Sequence, residues 1–165
     1  MKVREFYLQC REAEFPVFTN VFKALPKDQI GYKPDKRSPS AEQLVWTITG
    51  ALKSCIDAVK ENKAEAPAPE HPPLDQMLHL FERWSKELTE CVSNIDDETW
   101  DRKAQFFYNG KLVSEQPVGT FLWFVHFDAI HHRGQLTAYL RPMGAKVPSI
   151  YGPSADEKPK TAAAS

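Results

Sequence analysis

The chain has 165 residues, enough for one domain with a buried core. Its 42% hydrophobic and 26% charged residues, with a formal net charge of -1, are an ordinary globular balance. That charge, with no clustered lysines, gives no electrostatic case for nucleic acid or an anionic membrane. No apolar run approaches the ~18 residues of a membrane span, and MKVREFYLQCREAEF lacks the pattern of a signal peptide, so a cytoplasmic location is expected. Cys10, Cys55 and Cys91 are odd in number and widely spaced, without a CxxC, and read as small hydrophobes of a reducing compartment.

In chain order, Phe6, Cys10, Ala13, Val17, Val21 and Leu25 recur at helical spacing and predict a first helix over 3–25. Pro16 inside it is expected to kink it, and Pro26 to end it. Ser40-Ala-Glu-Gln43 is a capping-box pattern, followed by a stripe of Leu44, Ile48, Ala51, Cys55 and Val59, which predicts a second helix over 40–62. The proline-rich KAEAPAPEHPP cannot be helical and reads as a long extended connection. Leu74, Leu78, Phe81, Leu88, Val92 and Ile95 predict a third helix over 73–95, and Asp96-Asp97-Glu98 a solvated loop.

Asn109-Gly110 between two short apolar runs is the signal of a β-hairpin, because both residues tolerate positive φ. Pro117 suits the first turn of a fourth helix over 117–141, which Pro142 and Gly144 stop. The organisation expected is one domain over 1–152 and an irregular tail over 153–165. Four helices with one long connection predict an all-α four-helix bundle with a crossover between helices two and three and a small hairpin before helix four.

The fourth helix carries the chemistry. Phe121, Val125, Asp128, His132, Gln135 and Tyr139 alternate in steps of four and three, placing Asp128 and His132 one turn apart on a core-facing stripe. His131 lies around the helix from His132, within reach of Asp128 at the i, i+3 spacing. His126 is read as facing solvent or a loop. A buried carboxylate needs a partner. Two readings are open: a self-satisfied Asp–His pair, or a cation gripped by carboxylate and imidazole from one helix, as bundle cores allow. Trp46, Trp84 and Trp123 read as core or interface residues, Gln135 as an inward hydrogen-bonding group, and Arg133 as an ion-pair or anion-holding group. Gly134 suggests close approach by a neighbouring helix.

HHRGQL followed by YLRPMG and VPSIYGPSADE, together with LPKDQIGYKPDKRSPSAEQLVW near the N-terminus, resembles the DinB-like (damage-inducible) family over nearly the whole chain. The resemblance implies an up-down-down-up bundle, commonly a homodimer, with a nickel or zinc centre held by three histidines near one end. Its last ligand corresponds to His132. The partner one turn earlier is Asp128 in place of histidine, and the ligand from the second helix is replaced by Thr47. The ligand set implied is therefore depleted, with His131 as an additional acid or orienting group. Relatives with thiol-dependent transferase or isomerase chemistry imply a metal-dependent enzyme acting on a small electrophile with a low-molecular-weight thiol. The competing expectation is a non-enzymatic binding or stress-related dimer with a vestigial, metal-free site.

Overall fold

Reciprocal hydrogen bonds start the second helix. Ser40 Oγ accepts from the Gln43 N–H at 3.2 Å, and Gln43 Oε1 accepts from the Ser40 N–H at 2.8 Å. Helix α2 (Ala41–Glu61) therefore begins where the capping box predicts, and Asn62 ends it in the left-handed region at φ 58. The computed structural model describes residues 2–157. Within them the other long helices are α1 (Val3–Ala24), α3 (Leu74–Ser93) and α5 (Val118–Leu140), each within two residues of its predicted ends. Helix α1 runs unbroken through Pro16, and the Thr19 hydroxyl lies 2.9 Å from the Pro16 carbonyl. The acidic run proves to be more than a loop. Asp96 caps a short α4 (Asp97–Asp101), accepting from the Thr99 N–H at 2.8 Å.

The four long helices enclose one core. Helices α1 and α2 each pack on both α3 and α5. Side chains record how they align: Arg4 reaches the Val92 carbonyl, Phe22 meets Phe81 edge-on at 5.0 Å, and Tyr139 donates to the Pro39 carbonyl at 3.2 Å. Leu44, Ile48, Leu88, Leu122, Leu136 and Leu140 are almost wholly buried between them.

Asn109 (φ 50) and Gly110 (φ 70) make the predicted hairpin turn between β2 (Lys103–Tyr108) and β3 (Lys111–Pro117). A third strand, β1 (Lys63–Glu65), pairs parallel with β2 and completes a sheet of order β1-β2-β3. It carries no alternating pattern, and its partners define it. Asn62 O accepts from the Gln105 N–H and Phe107 O from the Ala66 N–H, both at 2.9 Å, while the Ser54 hydroxyl donates to the Glu65 carbonyl at 2.6 Å. The all-α expectation is thus corrected to a mainly helical chain with a small three-stranded sheet. Beyond β1 the chain is non-helical from Ala66 to Pro73, as the prolines require, and it lies against α2. Trp46 Nε1–H donates to Ala68 O at 2.6 Å. A Cβ on Gly50 would fall 2.4 Å from the Pro67 Cβ, so only glycine permits that approach.

Two predicted stripes are rotated by about one residue. In α1 the inward face runs Tyr7, Arg11, Glu14, Phe18, Val21, Leu25, whereas Phe6 and Ala13 are exposed. In α5 the most buried line runs Leu122, His126, Arg133, Leu136, Leu140, and Asp128, His132 and Gln135 flank it half-buried. The cause is common to both. The helices meet through polar side chains, among them the Glu14–Arg133 ion pair, and such groups read as surface in a sequence.

Candidate functional site

A cleft of about 380 Å³ opens between α2 and α5 above the proline-rich connection and the sheet. Helix α2 presents Thr47, Ala51 and Ser54, and α5 presents Phe121, Val125 and Asp128. Phe106 and Tyr108 of β2, Phe124 and the ring of Pro67 complete apolar walls. Thr47 and Asp128 therefore face one space, as their helical positions predict. The Thr47 hydroxyl donates to the Gln43 carbonyl one turn back at 2.9 Å, which leaves only its lone pairs for the cleft.

Asp128 Oδ2 lies 3.3 Å from His132 Nε2, and the other ring nitrogen, Nδ1, lies 2.8 Å from Gln135 Oε1. The His132 side chain is 21% exposed and that of Asp128 43%, so the pair sits at the cleft margin, not in the bundle core. The hydrogen bond to Asp128 raises the imidazole above its ordinary range, and the same bond from His132 lowers the Asp128 carboxyl. His131 is exposed and outside the cleft, its ring 5.3 Å from that of His132.

The donor set does not fit a resident zinc or nickel ion. Catalytic zinc needs three protein ligands. Among the described residues no three His, Cys, Asp or Glu side chains converge. Here one carboxylate and one imidazole stand opposite a neutral hydroxyl that is a far weaker donor than imidazole.

A polar seam between α1 and α5 escaped sequence reasoning. Arg133, 2% exposed, forms an ion pair with Glu14 and donates to the Tyr151 hydroxyl at 2.6 Å. Tyr151 in turn donates to the other Glu14 oxygen at 2.6 Å. Arg133 is therefore a core ion-pair residue. His126 is 6% exposed, not solvent-facing as its position suggested, and burial pushes its imidazole down to about 4. The signal was spacing. Tyr7, Arg11, Glu14, Phe18 and Leu122, His126, Ala129, Arg133 each follow the four-three-four rhythm of an inward stripe. Gly134 has no atom within 4 Å of a Cβ placed on it, so it serves no close approach in this chain, whereas a Cβ placed on Gly119 would fall 2.1 Å from the Trp100 ring. Cys55 is buried and its thiol is pushed up to about 12, which leaves no thiolate for nucleophilic chemistry.

The chain is similar to the Bacillus subtilis protein YrdA, with 22% identity over 153 residues, 93% of this chain and 90% of that one. It resembles the crystal structure of a DinB-like protein from Bacillus cereus at a TM-score of 0.74 and 19% identity, over 89% of this chain and 97% of the other. YfiT from Bacillus subtilis, described as "a probable metal-dependent hydrolase with an unusual four-helix bundle topology", matches at a TM-score of 0.60 and 14% identity, over 87% and 89% of the two chains. These likenesses show a shared fold, and the model of the DinB family matches residues 2–161, so the chain belongs to the DinB family.

Proposed function

We propose that the α2/α5 cleft is the functional site and that it binds a small organic molecule without a resident metal ion. One observation carries this reading. Both His132 ring nitrogens face acceptors, Asp128 Oδ2 and Gln135 Oε1, an arrangement that suits the doubly protonated imidazolium. A ring held that way has no lone pair for a cation, and Thr47 offers no third ligand. Phe106, Tyr108, Phe121 and Phe124 supply apolar contact for a ligand, and the second Asp128 oxygen is an acceptor for its polar end. This is a DinB bundle with a vestigial metal site, acting by binding.

The second reading is a metal-dependent enzyme, supported by family membership and by the likeness to YfiT. Zinc or nickel would then be held by Asp128 and His132, with His131 as an acid or orienting group. The reaction would join a low-molecular-weight thiol to a small electrophile. That ion would have to displace a proton from His132 and break one of its hydrogen bonds.

Several features accompany either reading. An up-down-down-up helix order is supported by the Arg4–Val92, Glu14–Arg133 and Tyr139–Pro39 contacts. Homodimer formation is supported by exposed aromatics on α5. A cytoplasmic location agrees with the finding that no helix among the described residues is long and apolar enough to cross a membrane. The domain is taken to span 1–152. The tail from 153 is hydrogen-bonded to it through Ser154 and Asp156, and residues 158–165 lie outside the described part.

Calorimetric titration with zinc and nickel on protein purified without an affinity tag separates the readings. Wild type is expected to bind weakly, and Thr47→His tightly, because a third ligand offsets the cost of displacing the His132 proton. Equal, tight binding by both would favour the metal-dependent enzyme and overturn the metal-free site.

A further inference from the structure

A second polar site lies deeper, where α5 faces α1 and α3. There a cavity of about 30 Å³ is lined by Tyr7, Arg11, Glu14, Ser85 and His126 among apolar side chains. Its charges do not balance. Glu14 is fully engaged, one oxygen by Arg133 and the other by the Tyr151 hydroxyl. Arg11 makes no ion pair among the described residues, and its Nε is buried without a hydrogen-bond partner. His126, 94% buried by its 6% exposure, is ringed by Tyr7 and Trp123 and is kept neutral by burial and by the Arg11 charge. A buried N–H without an acceptor is costly, and an acceptor group in the cavity would offset it.

Size and access narrow the class of acceptor. The cavity has room for a group of only a few atoms, so the charged end of a ligand fits there and the rest of it must lie outside. Arg11, Phe15 and Ser85 also line a groove of about 610 Å³ between α1 and α3, so these three side chains border both spaces. The groove rim carries Glu12, Glu82 and Glu90 against Lys86, which disfavours molecules with further negative charge. We propose that this cavity binds the carboxylate of a small monocarboxylic acid. The Arg11 guanidinium is its anchor, Ser85 and His126 are neutral hydrogen-bonding groups, and the apolar tail lies in the groove beside Leu8 and Phe15.

Calorimetry of the full chain with butyrate, butylamine and inorganic phosphate tests this, with circular dichroism as the control for folding. Butyrate is expected to bind, and the other two not to. Arg11→Gln is expected to weaken butyrate at least about ten-fold, the loss of a charge-assisted hydrogen bond. Ser85→Leu, which removes a hydrogen-bonding hydroxyl and fills space on the wall common to cavity and groove, is expected to do the same and serves if Arg11→Gln does not fold. Arg11 does not line the α2/α5 cleft, so its effect assigns binding to this cavity. No binding of butyrate at millimolar concentration would overturn the proposal. So would equal binding of phosphate or butylamine, or butyrate affinity unchanged in the folded variants.

Discussion

His126 and His132 share α5 and respond to protons in opposite senses. Burial depresses His126 to about 4, so between that value and the ordinary ~6.5 the unfolded chain takes up the proton and the folded chain does not. Its effect is a loss of stability as pH falls through that window. His132 is raised, chiefly by its hydrogen bond to Asp128, so its stabilising effect is full below ~6.5 and fades as pH rises through the folded value. The lowered Asp128 carboxyl reports the same bond from the other side, lost as pH falls through its own folded value. Urea unfolding at pH 7 and pH 5 should therefore show a smaller acid loss in His126→Gln than in wild type. An unchanged loss would place the sensitivity elsewhere. Asp128→Asn should lower the His132 titration midpoint followed by NMR, and a midpoint that stays raised would mean that Gln135 alone holds the proton.

Glycines report how the elements fit. Replacing a mid-helix glycine by alanine ordinarily gains up to ~1 kcal/mol. At Gly134, where nothing meets the added methyl, that gain is expected in full, as a rise of roughly 2–4 °C in the melting temperature. At Gly50 the methyl meets the Pro67 ring, so Gly50→Ala should lower the melting temperature and disturb the cleft floor. Differential scanning calorimetry of both variants checks the contrast, and a gain at Gly50 would mean that the connection yields freely. Helix ends and the hairpin were legible because caps, prolines and Asn109-Gly110 act within a few residues. Strand β1 and the Gly50–Pro67 contact were not, since each exists only through a distant partner. Helix faces fell between these cases. Arg11, Glu14, His126 and Arg133 interrupt the apolar rhythm with polar groups, of which Glu14 and Arg133 pair across helices, so the apolar residues alone mark out the neighbouring stripe. Asp128 and Thr47 were found together because each sits beside an apolar stripe that was correctly phased in α2 and only slightly rotated in α5.

At the scale of the whole molecule, α5 is apolar on both sides. Phe124 and Phe127 are 59% and 62% exposed. Trp123 stacks on Phe127 at 5.4 Å and packs on Phe6 at 5.7 Å, extending the patch onto α1. Contiguous apolar surface of this kind marks an interaction site. Light scattering at micromolar concentration is expected to give twice the 18.8 kDa chain mass, and Phe127→Glu to give the chain mass alone. A monomeric wild type would rule the dimer out. The open Gly134 lies on the same outward face, so a dimer that covers it would turn the stabilisation expected of Gly134→Ala into a weakening of association.

The ion pair of Glu14 with Arg133 spans 119 residues of sequence, and Tyr151 joins it from further still. At synthesis rates of ~5–20 residues per second, the first helix waits roughly 6–24 s on the ribosome before the partner of its inward carboxylate has even been made. During that interval α1 has no complete face to bury. Helix α1 can meet α3 in that interval, and α2 can meet α3, but the seam between α1 and α5 closes only once α5 has emerged.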